Sequence, residues 1–345
     1  MSRTSTSALV VIAVLLLAPT GAAAQAAPEQ PQAATGQPAA AQPPAAEAAP
    51  RTPWGTPDLG GIWDFRTITP LERPEEYGDR AFLTEEEAVT LEQGAAQTDR
   101  EANEAPAERT EAGGDIGAYN RFWFDFGTSV VADRRTSLIV DPPNGRRPPR
   151  TPAGEQRPAF GGSFGGGPFE QVEDLNYFDR CLGTAALPIY PTAYNNNVQI
   201  FQTADHVALF VEMMGSTRII PIDDRPHGDI RQWLGDSRGR WEGDTLVVET
   251  TRFDRDLLII GGSRDAERLV ERFTRVGPGI LQYEYTVEDS TVWTQPWTAV
   301  QTFRKTDAPV FEYACHEGNY AATNILAGAR AEEAAAAEAA AQDGR

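Results

Sequence analysis

Leu269–Glu288 reads LVERFTRVGPGILQYEYTVE, and its pattern decides the fold class. Gly277-Pro278-Gly279 is a turn signal between two runs of residues that favour extended backbone. After the turn, Leu281, Tyr283, Tyr285 and Val287 alternate with Gln282, Glu284, Thr286 and Glu288. Side chains alternate faces along a strand, so this is a half-buried strand of an antiparallel hairpin.

The same signature recurs on both sides. Strands are expected at 198–202, 207–213, 217–222 and 245–251, the last entered through the turn Glu242-Gly243-Asp244. Trp293–Lys305 and Pro309–Cys315 read as a further pair around Thr306-Asp307. Upstream, Ile62–Phe65 and Thr136–Asp141 are short strands, and Thr84-Glu85-Glu86-Glu87 is a capping box that opens a helix. Six to eight antiparallel strands with one apolar face predict a mainly β, up-and-down barrel with an N-terminal helix and long loops. A β-sandwich is the alternative.

The flanks bound this domain. Arg3, the apolar run Ala8–Ala18 and the Ala22-Ala23-Ala24 site before Gln25 have the layout of a cleaved signal peptide, residues 1–24. An uncleaved membrane anchor is the rival reading of that run. Residues 25–52 are an Ala/Pro/Gln-rich tether with no apolar face to bury. The single barrel domain is expected over 53–330, with a loop insertion near 142–170 and an Ala/Glu-rich tail over 331–345. Export predicts a periplasmic or secreted protein, with no stable membrane insertion once the signal is removed. In an oxidising compartment the two cysteines, Cys181 and Cys315, most simply pair. Two free thiols, or Cys315 as a nucleophile beside His316, are the other readings. The formal net charge of −20 argues against nucleic acid as a partner.

Chemistry-bearing residues concentrate in Arg218–Phe253, where a polar loop separates two strands. His227 lies there between Pro226 and Gly228, and a second histidine, His316, stands next to Glu317 beyond the last apolar run. Imidazole titrates near neutrality, so His227 and His316 are candidates for base and acid, with Asp223 or Glu317 orienting one ring. Arg218 or Arg231 would receive an anionic group, and Trp233, Trp123 and Tyr283 would line a cavity. The bland reading of Asp236, Arg238 and Arg240 is a salt-bridged clasp that holds the loop. His206 is expected to be exposed in a turn. No HExxH or paired CxxC spacing is present, so no metal and no cofactor is implied. A GxSxG nucleophile elbow is also missing.

The strings RIIPIDDRPH (218–227), IRQWLGDSRGRWEGDTLVVETTRF (230–253), LVERFTRV (269–276), YEYTVED (283–289) and FEYACHEGNY (311–320) resemble a large family of exported, functionally uncharacterised bacterial proteins. The resemblance runs from Trp54 to Arg330 and implies a calycin-like (lipocalin-like) barrel without an assigned activity. The chain departs from that pattern at Gly215, where the resemblance leads one to expect a histidine. That argues against any acid–base or metal site that depends on it. The function expected from all this is binding of a small, partly apolar molecule, with or without His/carboxylate chemistry. A non-catalytic carrier and a cell-envelope structural or interaction protein are the alternatives.

Overall fold

A computed structural model describes residues 49–104, 124–157, 169–183, 187–255 and 262–343. The expected signal peptide, nearly all of the tether, the aromatic run through Trp123, and the Gly-rich centre of the 142–170 insertion lie outside the described residues. In chain order the elements are β1 (Gly61–Asp64), α1 (Glu85–Glu104), β2 (Ile139–Asp141), α2 (Pro152–Glu155), β3 (Asn197–Gln202) and β4 (His206–Val211). There follow β5 (Ser216–Pro221), β6 (Asp236–Glu242), β7 (Thr245–Thr251), β8 (Arg268–Gly277), β9 (Ile280–Glu288), β10 (Trp297–Thr306) and α3 (Ala321–Asp343).

The hairpin forms as its alternation predicts. Strands β8 and β9 pair from Arg268↔Glu288 to Gly277↔Ile280. On β9, Leu281, Tyr283, Tyr285 and Val287 are all at most 1% exposed. The sheet runs β5-β4-β3-β1-β10-β9-β8-β7-β6, with β2 pairing β10 beside it. Each neighbour along this path is antiparallel. The result is a nearly closed nine-strand barrel. β1 and β2 share one edge of β10: Thr306 to Arg304 pair with β1, and Thr298 and Ala299 pair with β2 across a bulge.

An odd number of alternating strands makes the two edges, β5 and β6, run parallel. They meet through one parallel bridge, Ile222↔Gly239. Gly239 allows that approach, because a Cβ there would stand 2.7 Å from Ile222 Cδ1 and 3.0 Å from Ile220 Cγ2. The barrel therefore has a seam with almost no backbone hydrogen bonding.

Two expectations need correction. Pro309–Cys315 is not a strand; it is an irregular strap that pairs with no strand among the described residues. Asp236, Arg238 and Arg240 belong to β6 rather than to a loop, so the polar loop is confined to 222–235. Their strand was hidden because two of its three inward positions, Ser237 and Gly239, carry no hydrophobic signal, and only Trp241 does.

Side chains fill the barrel axis. Tyr283 packs 4.9 Å from Phe273, 5.0 Å from Phe303 and 5.6 Å from Tyr285, centroid to centroid. Leu187 and Ile189, from the segment before β3, are buried in the same cluster. Ile189 N donates to the Tyr283 hydroxyl at 3.1 Å, and its carbonyl accepts from Gln301 Nε2 at 2.5 Å.

Outside the barrel, Thr84 and Glu87 cap α1 reciprocally, at 2.8 Å and 3.2 Å. The helix buries only Ala88, against Leu83 and Val130. α3 runs through residue 330, so the expected start of the tail is not a structural boundary.

The buried tyrosines predict an alkaline limit to stability. Burial pushes the Tyr283 phenol well above its ordinary value, and the Glu271 charge pushes the same way. Burial likewise raises Tyr285 and Tyr190. An unfolded tyrosine ionises near pH ~10 while these stay protonated. Stability is therefore fully present below about pH 10 and is lost as pH rises toward the folded values, by up to about 1.4 kcal/mol per pH unit for each group. Urea midpoints measured from pH 8 to 11, with absorbance at 295 nm, check this. Titration of all nine tyrosines near the ordinary pKa in the folded protein would contradict it.

Candidate functional site

Two open grooves stand on the described surface. The larger, about 730 Å³, lies at the end of the barrel where β3 begins and β4 finishes. Asn197 and Glu212 face each other there, next to Val198 and Val211, which are fully buried. Alternation turns both polar side chains away from the core. Glu212 is nonetheless fully buried, because the strap lies over it. Its Oε1 accepts from the Phe311 amide at 2.7 Å and its Oε2 from Asn197 Nδ2 at 2.8 Å.

The strap is fastened at two further points. The Tyr313 ring stacks on Tyr194, with centroids 6.2 Å apart and planes 12° from parallel. Cys315 forms a disulfide with Cys181 across a sequence separation of 134 residues. Just past it, Asn319 Nδ2 donates to the Asp179 carbonyl at 3.0 Å. The Asp179 carboxyl itself is raised by burial. Asp125, Asn195, Glu312 and Ala314 complete the groove with the residues already named. Its volume lies in the range of small-molecule sites, and half of its wall is strap.

The smaller groove, about 200 Å³, lies across the seam and is lined by Asp223, Asp224, Arg225, His227, Arg238, Gly239, Arg240 and Glu249. His227 Nδ1 is 3.2 Å from Asp236 Oδ2, and Nε2 is 3.5 Å from Glu249 Oε1. The Gly228 amide also donates to Asp236 Oδ2, at 2.8 Å. Arg238 lies 3.2 Å from Asp236, Arg225 is paired with Asp223 at 2.6 Å, and Arg240 with Glu242 at 2.7 Å. A hydrogen bond from Arg268 holds the Glu249 carboxyl below its usual range, and one from Arg225 does the same for Asp223. Asp236 and Glu249, the carboxylates beside the imidazole, thus each meet a guanidinium, and Arg268 also serves Glu288.

The sequence-predicted residues are dispersed. His227 takes its carboxylates from Asp236 and Glu249 rather than from Asp223, although Asp223 lines the same groove. His316 and Glu317 are exposed just beyond Cys315, and among the described residues no contact joins His316 to His227. Arg218 and Tyr283 meet inside the barrel on a shared partner, Glu271. Arg231 ties the 222–235 loop down through the Phe253 carbonyl at 2.9 Å and Asp265 at 3.0 Å. Trp233 donates to the Gly183 carbonyl at 2.7 Å, with the Tyr177 ring and the Arg255 guanidinium against it. His206 is exposed beside Asp205, as expected. Among the described residues no three His, Cys, Asp or Glu side chains are grouped to hold a metal ion.

Tyr194, Asn195, Asn197, Phe311, Glu312 and Tyr313 were missed. One signal pointed to the strap residues among them. A Cys181–Cys315 bridge must bring FEYAC (311–315) against the segment around Cys181.

No described helix is long and apolar enough to cross a membrane. No family model matches the chain, and no curated protein matches it. The chain is similar to a solved structure of a secretary abundant heat soluble (SAHS) protein from Ramazzottius varieornatus. The two are 16% identical, with a TM-score of 0.23, and the match covers 38% of this chain and 86% of that one.

Proposed function

We propose that this is an exported binding protein that takes a small, partly apolar molecule in the groove beside the strap. The observation that carries the reading is the groove itself. It has about 730 Å³ of open space, walled by Tyr194, Tyr313 and Phe311, and a covalent tether holds one wall in place. With Tyr283 and its neighbours occupying the axis, the ligand sits at the barrel's end and not along its centre. The disulfide accords with an oxidising compartment. Carriage fits this site better than turnover, because the groove contains no imidazole and His227 lies at the separate seam groove.

Fluorescence titration with dansylamide, a neutral aromatic probe, tests the reading. Wild-type protein should bind it saturably at one site. Tyr313→Ala should weaken binding about tenfold, the loss of one aromatic contact of about 1.4 kcal/mol. Equal affinity in a Tyr313→Ala protein that melts normally would place the probe elsewhere and refute the assignment.

A further inference from the structure

We infer that the groove beside the strap selects cationic amphiphiles, small molecules with an apolar or aromatic body and an ammonium head. This rests on the binding reading above and narrows its ligand class.

The described wall carries three carboxylates, Asp125, Glu212 and Glu312, and no basic side chain. Their surroundings give each a different part. Both oxygens of Glu212 are engaged by Asn197 and the Phe311 amide, so it contributes field rather than a contact. Asp125 is paired with Arg66 at 2.6 Å, but the same guanidinium also serves Asp64 at 2.7 Å, so the trio remains acidic. Glu312 is exposed and makes no side-chain hydrogen bond or ion pair among the described residues.

Glu312 projects from the strap between Phe311, which is 64% exposed, and the stacked Tyr313. An apolar body has a seat on Phe311 and Tyr313 while a charged head reaches Glu312. The aromatic faces work in the same direction as the carboxylates, because the negative face of a ring attracts a cation. An anion in this groove would meet repulsion from both. The exposed Glu312 carboxylate only accepts hydrogen bonds, and an ammonium brings three donors.

The rival explanation for any cation preference is the protein's net charge of −20, which attracts cations to the whole surface. The test must separate the two. Dansylcadaverine, dansylamide and dansylglycine share one ring system and differ in charge: positive, neutral and negative. In dilute buffer wild-type protein should bind dansylcadaverine at least about tenfold more tightly than dansylglycine, and the gap should shrink in 1 M salt, where screening lengths fall to about 3 Å. Glu312→Gln removes one charge in many and leaves the global field almost intact. It should cut the ratio about threefold to fivefold, the scale of one exposed ion pair, by weakening dansylcadaverine and strengthening dansylglycine. Glu312→Lys should cut it further.

A ratio untouched by Glu312→Gln would assign the preference to the global field and overturn this inference. So would equal binding of all three probes by wild type. In both cases the binding reading would stand. Failure of every probe to bind wild type would remove the binding reading and this inference together.

Discussion

Replacing Cys181 and Cys315 together by serine is expected to lower stability by about 4–5 kcal/mol and to abolish dansylamide binding. The first effect follows from the length of the closed loop. A crosslink spanning 134 residues removes a large part of the unfolded chain's freedom, and the chain-entropy model places such loops near that value. The second follows from the strap having no ladder to hold it. Without the bridge, the strap keeps the Phe311 amide bond to Glu212, the Tyr313–Tyr194 contact and, just past it, the Asn319 bond to the Asp179 carbonyl. A charge-assisted hydrogen bond contributes about 1.5–3 kcal/mol and a ring pair about 0.5–1.5 kcal/mol, comparable with the entropy of ordering a few residues. Urea denaturation of the double variant and probe titration below its unfolding transition measure the two effects separately. A midpoint within about 0.5 kcal/mol of wild type, or intact binding, would show that the strap is held by something other than the bridge.

Arg218→Met is expected to cost about 3–5 kcal/mol, because it strands a carboxylate inside the barrel. The Arg218 and Glu271 side chains are 2% and 0% exposed. The guanidinium meets both carboxylate oxygens, at 2.6 Å and 2.8 Å, and the Tyr283 hydroxyl donates to Oε1 at 2.7 Å. Arg218 stands on β5, at one side of the seam, and Glu271 on β8, beyond β6 and β7. The pair therefore ties across the seam from within, with the Ser237–Thr250 hydroxyl contact at 2.9 Å beside it. Arg218→Met/Glu271→Leu should be more stable than either single variant, since nothing charged is then left unpaired. Denaturation midpoints of the four proteins close the cycle. Single variants that each cost under about 1 kcal/mol would mean that water reaches the site and the pair is not a buried tie.

Much of the barrel was legible because its signals are local. The alternation on β9, the turn at Gly277–Gly279 and the Thr84–Glu87 box each lie within ten residues and report one backbone conformation. The disulfide was legible for another reason: a chain with only two cysteines has only one pairing to make. β6 was not legible, because two of its inward positions are Ser237 and Gly239, and at Gly239 the seam is too tight for a side chain. The strap was misread as a strand because Phe311–Cys315 has strand-like composition, and composition does not say whether a neighbouring edge is free to pair.

The candidate site was the least legible part. Its wall comes from Asp125, from Tyr194–Asn197, from Glu212 and from the strap, stretches that share no local pattern. The residues that looked chemical in the sequence were spent elsewhere: Arg218 on Glu271, Arg231 on the Phe253 carbonyl, and His227 between Asp236 and Glu249. By itself the sequence determined a strand-rich fold with its hairpin at Gly277–Gly279 and favoured the cysteine pair, because periodicity and composition act over a few residues. Only the tertiary structure decided that nine strands leave a parallel seam, that the axis is filled and that the open space lies under the strap. Those outcomes depend on which distant surfaces meet, and a buried Glu212 acquires its role only when Phe311, 99 residues away, is laid across it.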